Sequence, residues 1–245
     1  MLGMVENSVA SLGELSSSGA MAELLTKIGT IRTCYDEKFG VPRQPRLVVD
    51  AWGVIEFEHP YDDLAFFKGI EGFSHLWLLF QFHQVDAKQV RATVRPPRLG
   101  GNQRVGAFAT RSPYRPNRIG MSVVEFDRLE HAADGRVFLH VKGVDLVDKT
   151  PIFDIKPYIP FSDSVPEAQG GFVDGKPALL EVVWQCDGPS ELRERRVIQQ
   201  SLALDPRPAY HESEEREYGS TMAGWRLRWK VESGVLYVLS AECSE

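Results

Sequence analysis

Cysteine is scarce in this chain of 245 residues: Cys34, Cys186 and Cys243 are far apart, odd in number and unaccompanied by histidines at metal-ligand spacing. That excludes a disulfide framework and gives no zinc site or other metal centre, leaving three unconnected thiols in a reducing compartment. Long apolar stretches are also missing, and no run approaches the ~18 residues that a membrane helix requires, so a soluble protein with no membrane partner is expected. The chain has neither a glycine fingerprint for dinucleotides nor a phosphate-cradling loop ending in Lys-Ser/Thr. Its first residues lack the basic start and continuous apolar core of a signal peptide. Rich in Ser, Gly and Ala, residues 1–22 read as a disordered tail on a cytoplasmic protein. Met21 directly precedes the first patterned segment, so Met1 and Met21 are both candidate starts.

Acidic residues are absent from one long segment. Between Ala87 and Val124 there is no Asp or Glu, whereas Lys88, Arg91, Arg95, Arg98, Arg104, Arg111, Arg115 and Arg118 all fall inside it. Subtracting these eight charges from the net −6 leaves −14 on the remainder of the chain. Such a block concentrates positive potential and steers a polyanion even on an acidic protein. The competing reading is that several of these arginines pair with carboxylates from the acidic remainder. Prolines 96, 97, 113 and 116 stiffen the backbone, and guanidinium forks held on stiff backbone lose less entropy when they grip phosphate. Two aromatic residues lie among the arginines, where unstacked RNA bases find partners. Phe108, between Ala107 and Ala109 in a strand pattern, is expected in the core; Tyr114, between Pro113 and Arg115, is the stacking candidate.

Hydrophobic patterning predicts a mainly β protein. Residues 26–32 and 46–58 read as strands, the second broken near Gly53, and 75–82 (HLWLLFQF) as a buried strand, a short core helix being the alternative that periodicity leaves open. Residues 105–110, 119–129, 137–147 and 151–158 continue the pattern. Short strands without alternating helices favour an antiparallel sheet or barrel over a doubly wound fold. After a polar stretch to about Lys176, a small α+β unit follows: a strand at 178–185, a helix at 190–202 with Ser190 as candidate N-cap, and a hairpin around Ser233-Gly234. The division read from this pattern is a barrel domain over 23–168 and a second domain over 169–245.

Candidate chemistry is sparser. Asp145, Asp148 and Asp154 suit acid/base work or Mg²⁺ ligation, or equally the termination of strands and capping of turns, and the turn role suits Asp148. Asp154, Lys156 and Tyr158 alternate at period two and share one face of a strand. His83, at a strand end, reads more simply as a hydrogen-bonded structural residue than as a catalyst.

Several of these segments carry a resemblance. Phe39-Gly-Val-Pro-Arg-Gln-Pro45, Phe73-Ser-His-Leu-Trp77, Phe82-His-Gln84, the Arg95–Met121 run, Val144-Asp-Leu-Val-Asp-Lys-Thr-Pro151, Asp154-Ile-Lys-Pro-Tyr158 and Asp205-Pro-Arg-Pro-Ala-Tyr210 closely resemble the TsaA/TrmO-type tRNA (adenine-N6) methyltransferases. The resemblance implies a TsaA-like antiparallel β-barrel, acting as a homodimer, that uses S-adenosylmethionine. Its reaction would be methylation of the exocyclic amine of N-threonylcarbamoyladenosine beside the anticodon of tRNA. Carried over by position, the cofactor contacts are Pro42, Arg43, Gln44, His83, Gln84, Arg111, Met121, Lys142, Gly143, Val144 and Asp145. The expected tRNA contacts are Arg95, Arg98, Arg104, Tyr114, Arg115, Arg118, Lys156, Tyr158, Asp205, Arg207 and Tyr210. Asp154 and Asp145 are the candidate bases, and no metal is implied. Two positions depart from the family pattern: Lys149 stands where glycine is expected, and Arg118 where proline is familiar. Other readings are a non-catalytic RNA-binding barrel and a methyltransferase for a small adenine metabolite.

Overall fold

The computed structural model describes residues 25–208 and 216–244. The N-terminal tail, both candidate starts and Tyr210 lie outside them.

The first eight strands are β1 (Gly29–Thr33), β2 (Trp52–Phe57), β3 (His75–Gln81), β4 (Thr93–Val94), β5 (Val105–Gly106), β6 (Ile119–His131), β7 (Val137–Lys142) and β8 (Thr150–Pro157). Six of them close an antiparallel barrel in the order β1-β2-β7-β6-β3-β8, and β8 pairs back onto β1. Closure leaves these strands no exposed sheet edge. Side-chain alternation drives it: Leu76, Leu78 and Phe80 of β3 turn inward to meet Ile31, Ile55, Leu139 and Ile152 in the barrel core. Each such side chain contributes roughly 1.5–3 kcal/mol by leaving water. The mainly β expectation is borne out.

Several finer readings need correction. Gly53 does not break a strand; it pairs with Thr33 on one side and Val141 on the other within β2. A Cβ there would lie 2.7 Å from Ile31 Cδ1, so close packing, not a bend, requires the glycine. The residues before it, 46–51, form turns. The strand read over 105–110 shrinks to β5 and a 3-10 turn at Ala107–Ala109. Ala107 takes the buried side of that turn, and Phe108 is 86% exposed instead of in the core.

Past the barrel come α1 (Pro160–Asp163), β9 (Glu181–Trp184), α2 (Leu192–Ala203), β10 (Glu217–Met222), β11 (Trp225–Glu232) and β12 (Val235–Cys243). The last four strands form a sheet in the order β10-β11-β12-β9, with β9 parallel to β12. Helix α2 buries Val197, Ile198, Ser201 and Leu202. Its N-cap is Glu191, without a side-chain capping bond, so the Ser190 cap does not form. The β11–β12 hairpin turns on Ser233 (φ 50°) and Gly234 (φ 79°), the two positive φ values that suit a tight turn between twisted strands.

The loop from β1 to β2 joins the two parts. Cys34 O accepts from Ala223 N at 2.6 Å, and the Tyr35 hydroxyl lies 3.0 Å from Ser201 Oγ. Asp50 Oδ2 accepts from Gln200 Nε2 at 2.5 Å.

Candidate active site

Where β3 runs out into Phe82-His83-Gln84, the chain leaves a cavity of about 230 Å³. Its walls are mostly apolar: Val41, Phe80, Phe82, Val85, Leu146 and Val147, with Pro113 and Tyr114 from the basic segment. Polar groups are few, and comprise Lys38, Gln81, His83, Gln84, Asp145 and Thr150. Lys38 Nζ donates to Gln84 O at 2.9 Å, tying the β1–β2 loop to the end of β3. Thr150 Oγ1 donates to Val147 O at 2.6 Å and lies 3.5 Å from His83 Nδ1. Burial lowers the His83 pKa below its ordinary value, so the ring is neutral at pH 7.

Asp145 is the unusual group. Burial pushes its carboxyl up from 3.8 to about 6, against the opposing effects of a 2.6 Å hydrogen bond from Ser122 Oγ and the charge of Arg111. Ser122 is buried because it points inward on β6, opposite Leu78. A carboxyl whose charge is disfavoured by its own surroundings gains from a cationic ligand.

The structure sorts the residues carried over from the family into distinct places. His83, Gln84, Asp145 and Tyr114 line the cavity. Gln44 Oε1 accepts from Arg111 Nη1, bringing two expected cofactor residues together on the loop side. Pro42 is buried and Arg43 exposed on that same loop. Gly143 brackets the loop, its carbonyl accepting from Arg46 N at 2.8 Å and its N–H donating to Ala51 O at 2.7 Å. Val144 is fully buried in the core, so its side chain faces no ligand. Lys142 is paired with Asp127 at 2.5 Å. Met121 and Asp154 both face Leu79 in the ladder, an outward row across β6, β3 and β8. Asp154 is also salt-bridged to Lys156 at 3.0 Å. Tyr158 packs 6.0 Å from the Trp77 ring. Asp148, the turn residue, accepts from Arg32 Nε and Thr33 N, both at 2.9 Å. Asp205 holds Arg207 through two 2.8 Å bonds.

The basic segment keeps most of its charge uncancelled. Of its eight cations only Arg98 reaches a carboxylate among the described residues, Asp174 at 3.4 Å, and it also donates to Gly175 O. Arg104 donates to Thr93 Oγ1, and Arg118 to Val85 O. Arg115 donates to Ala107 O and Thr110 O, bracing the turn that presents Phe108. Arg91 lies 4.4 Å over the Tyr114 ring. These contacts fix guanidinium groups without neutralising them. Of the two aromatic residues, Tyr114 lies under Arg91 and lines the cavity, while Phe108, expected in the core, is the exposed ring.

Two family models divide the chain. The tRNA-methyltransferase O N-terminal domain matches residues 30–164, and the TrmO C-terminal domain matches residues 178–243. The chain belongs to the tRNA-methyltransferase O family. Among its relatives, the tRNA (adenine(37)-N6)-methyltransferase of Escherichia coli K12 is 45% identical over 88% of this chain and 96% of its own length. A putative S-adenosylmethionine-dependent methyltransferase, RcsF, of Pseudomonas aeruginosa is 43% identical over 85% of this chain and 93% of its own. The crystal structure of TrmO from Pseudomonas aeruginosa superposes with a TM-score of 0.74 at 35% identity, covering 91% of this chain and 99% of that one.

Within this TrmO-family chain, sequence reasoning missed Lys38, Val41, Ser122 and Thr150. Ser122 had a signal: a lone hydroxyl in the apolar run Ile119-Gly-Met-Ser-Val-Val124, on the inward period of β6. Lys38 had none: beside Asp36 and Glu37 it reads as an exposed charge, and it is exposed, at the edge of the cavity with its Nζ on Gln84 O.

Proposed function

We propose that this TrmO-family enzyme methylates the exocyclic amine of N-threonylcarbamoyladenosine beside the anticodon of tRNA, using S-adenosylmethionine, as a cytoplasmic homodimer. The observation that carries the reading is one of placement: the segment with seven cations unpaired to any carboxylate among the described residues also supplies Pro113 and Tyr114 to the cavity that holds Asp145. An RNA backbone gripped by those arginines delivers a base to that wall. Phe108, exposed on its braced turn, is a stacking partner for a neighbouring base.

The cavity suits the cofactor on chemical grounds. S-adenosylmethionine carries a net positive charge, on a sulfonium joined through a ribose to a flat adenine ring, and the cavity offers mostly apolar walls with a single recessed carboxyl. When bound it supplies an electrophilic methyl group for in-line displacement by the amine. Asp145 then holds positive charge in place, neutral His83 accepts or donates a hydrogen bond, and the Lys38–Gln84 tie keeps the mouth in register. Alignment of this kind contributes up to roughly 7–11 kcal/mol where geometry is good. Between the two candidate carboxylates, Asp145 lines the cavity, whereas Asp154 is ion-paired with Lys156 on the barrel's outer row.

Nucleoside mass spectrometry tests the reading. Threonylcarbamoylated tRNA incubated with enzyme and S-adenosylmethionine should gain one methyl on the modified adenosine, and the same tRNA lacking the modification should not. Methylation of the unmodified tRNA would overturn the substrate assignment.

A further inference from the structure

The β1–β2 loop has two faces that meet different partners. Lys38 and Val41 turn to the cavity, while the residues between and beside them grip the C-terminal sheet. Phe39 stacks on Trp229 (6.0 Å between ring centroids, 10° between planes) and on Tyr218 (6.4 Å, 21°), and those two rings stack on each other at 4.7 Å. Glu37 Oε1 accepts from Thr221 N at 2.7 Å. Gly40, at φ 100°, lies against the end of Met222, where a Cβ would sit 2.5 Å from Cε. Trp229 and Met222 are both fully buried.

Such contacts are far more extensive than a loop crossing a surface needs. A loop of this length held only by the barrel would sample many positions, and each would move Lys38 and Val41. Two aromatic stacks and a hydrogen bond to a charged acceptor fix one position. The wall of the cavity is therefore held from the second sheet, 190 residues on in sequence by the Phe39–Trp229 pairing, as well as by the Lys38–Gln84 tie to the end of β3.

We propose that Phe39 is a positioning residue: stacked on Trp229 and Tyr218, it lets the C-terminal sheet hold the Lys38–Val41 wall and so sets affinity for the cofactor. This rests on the reading that the cavity takes S-adenosylmethionine. By linkage, anything that shifts the sheet shifts cofactor affinity, and the cofactor acts back on the sheet by the same factor.

The test is isothermal titration of full-length enzyme with S-adenosylmethionine in the absence of RNA. Phe39→Leu removes the stack and keeps an apolar side chain. We expect cofactor affinity to fall about fivefold to twentyfold, KM for the cofactor to rise with kcat at saturation within about twofold of the parent, and Phe39→Tyr to restore both. Unchanged affinity in a folded Phe39→Leu protein would overturn the proposal. Should Phe39→Leu fail to fold, Glu37→Ala decides: a weaker loss in the same direction supports the proposal, and parental affinity overturns it. Asp145→Asn serves as the cavity control. If it weakens binding and Phe39→Leu does not, the coupling fails while the cavity reading stands; if neither does, the cavity reading itself fails.

Discussion

Asp145 shows how one residue's surroundings prescribe its partner. Its carboxyl is raised to about 6, chiefly by burial, and the Ser122 hydroxyl and Arg111 charge only partly offset that. A positive ligand restores the ionised form, so on the proposed reading cofactor binding should release protons near pH 6 and weaken as the solution is acidified through that value. Asp145→Asn should lower cofactor affinity by about tenfold or more at pH 8, close to 1.4 kcal/mol, and should flatten the pH dependence between 5 and 8. The same group acts on stability with a definite sign. Because the folded pKa lies above the unfolded one, its contribution is complete below about 3.8 and is lost as pH rises through about 6. The Asn variant should therefore gain thermal stability over the parent at pH 8 and show no gain at pH 4. Titration calorimetry and thermal melts at the two pH values check both halves. An affinity that stays pH-independent in the parent would remove Asp145 from the site.

At the scale of elements, the turn from β7 to β8 carries a testable departure. Lys149 adopts φ 63°, the left-handed conformation that glycine accepts without strain. The turn keeps its shape around a lysine because Asp148 pins it through Arg32 and Thr33, and Thr150 through Val147. Lys149→Gly relieves a left-handed cost of roughly 1–2 kcal/mol and gives part of it back as unfolded-chain entropy. We expect a net stabilisation below about 1 kcal/mol in urea unfolding, with no gain for Lys149→Ala. Equal stability of all three proteins would show that the turn is unstrained. Arg118, at φ 50°, holds a conformation closed to proline, whose ring fixes φ near −65°.

The same scale explains what the sequence made legible. Strands announced themselves wherever inward and outward residues alternate, as in β3, because barrel burial imposes that period. The hairpin at Ser233-Gly234 was readable because positive φ restricts residue choice. Phe108 misled because Ala-Phe-Ala suggests a strand, whereas Thr110 closes a tight turn onto Ala107 O and Arg115 braces it through the Ala107 and Thr110 carbonyls. The β1–β2 loop left no local trace of its role: Lys38 and Val41 become cavity residues only because Phe39 finds Trp229 and Tyr218 in a sheet formed much later in the chain. Of the residues that motif matching grouped, His83, Gln84 and Asp145 line the cavity, Met121 lies on the outward row and the Val144 side chain is buried.

For the whole molecule the decisive property is segregation of charge. Net −6 conceals a segment of +8 against −14 elsewhere, and the two hardly neutralise one another, since Arg98 is the one member of the segment that meets a carboxylate among the described residues. On the proposed reading a polyanion is attracted by this segment and repelled by the acidic remainder, so charge should orient the RNA before any base is read. Binding should then release counterions in proportion to the phosphates engaged, and affinity for tRNA should fall steeply with salt. Arg95 is exposed and makes no ion pair among the described residues, so Arg95→Ala should lower the slope of log K against log salt by about 0.7–0.9, the share of one phosphate contact. Arg228, on the C-terminal sheet and bound to Glu217, is the control: removing it takes away a charge that is already compensated and should leave the slope unchanged. Fluorescence binding titrations from about 50 to 200 mM salt measure all three proteins. If Arg95→Ala and Arg228→Ala change the slope equally, the contact is diffuse and the basic segment is not the docking face; if only Arg95→Ala does, the phosphate backbone lies along it, beside the cavity that Tyr114 helps to wall.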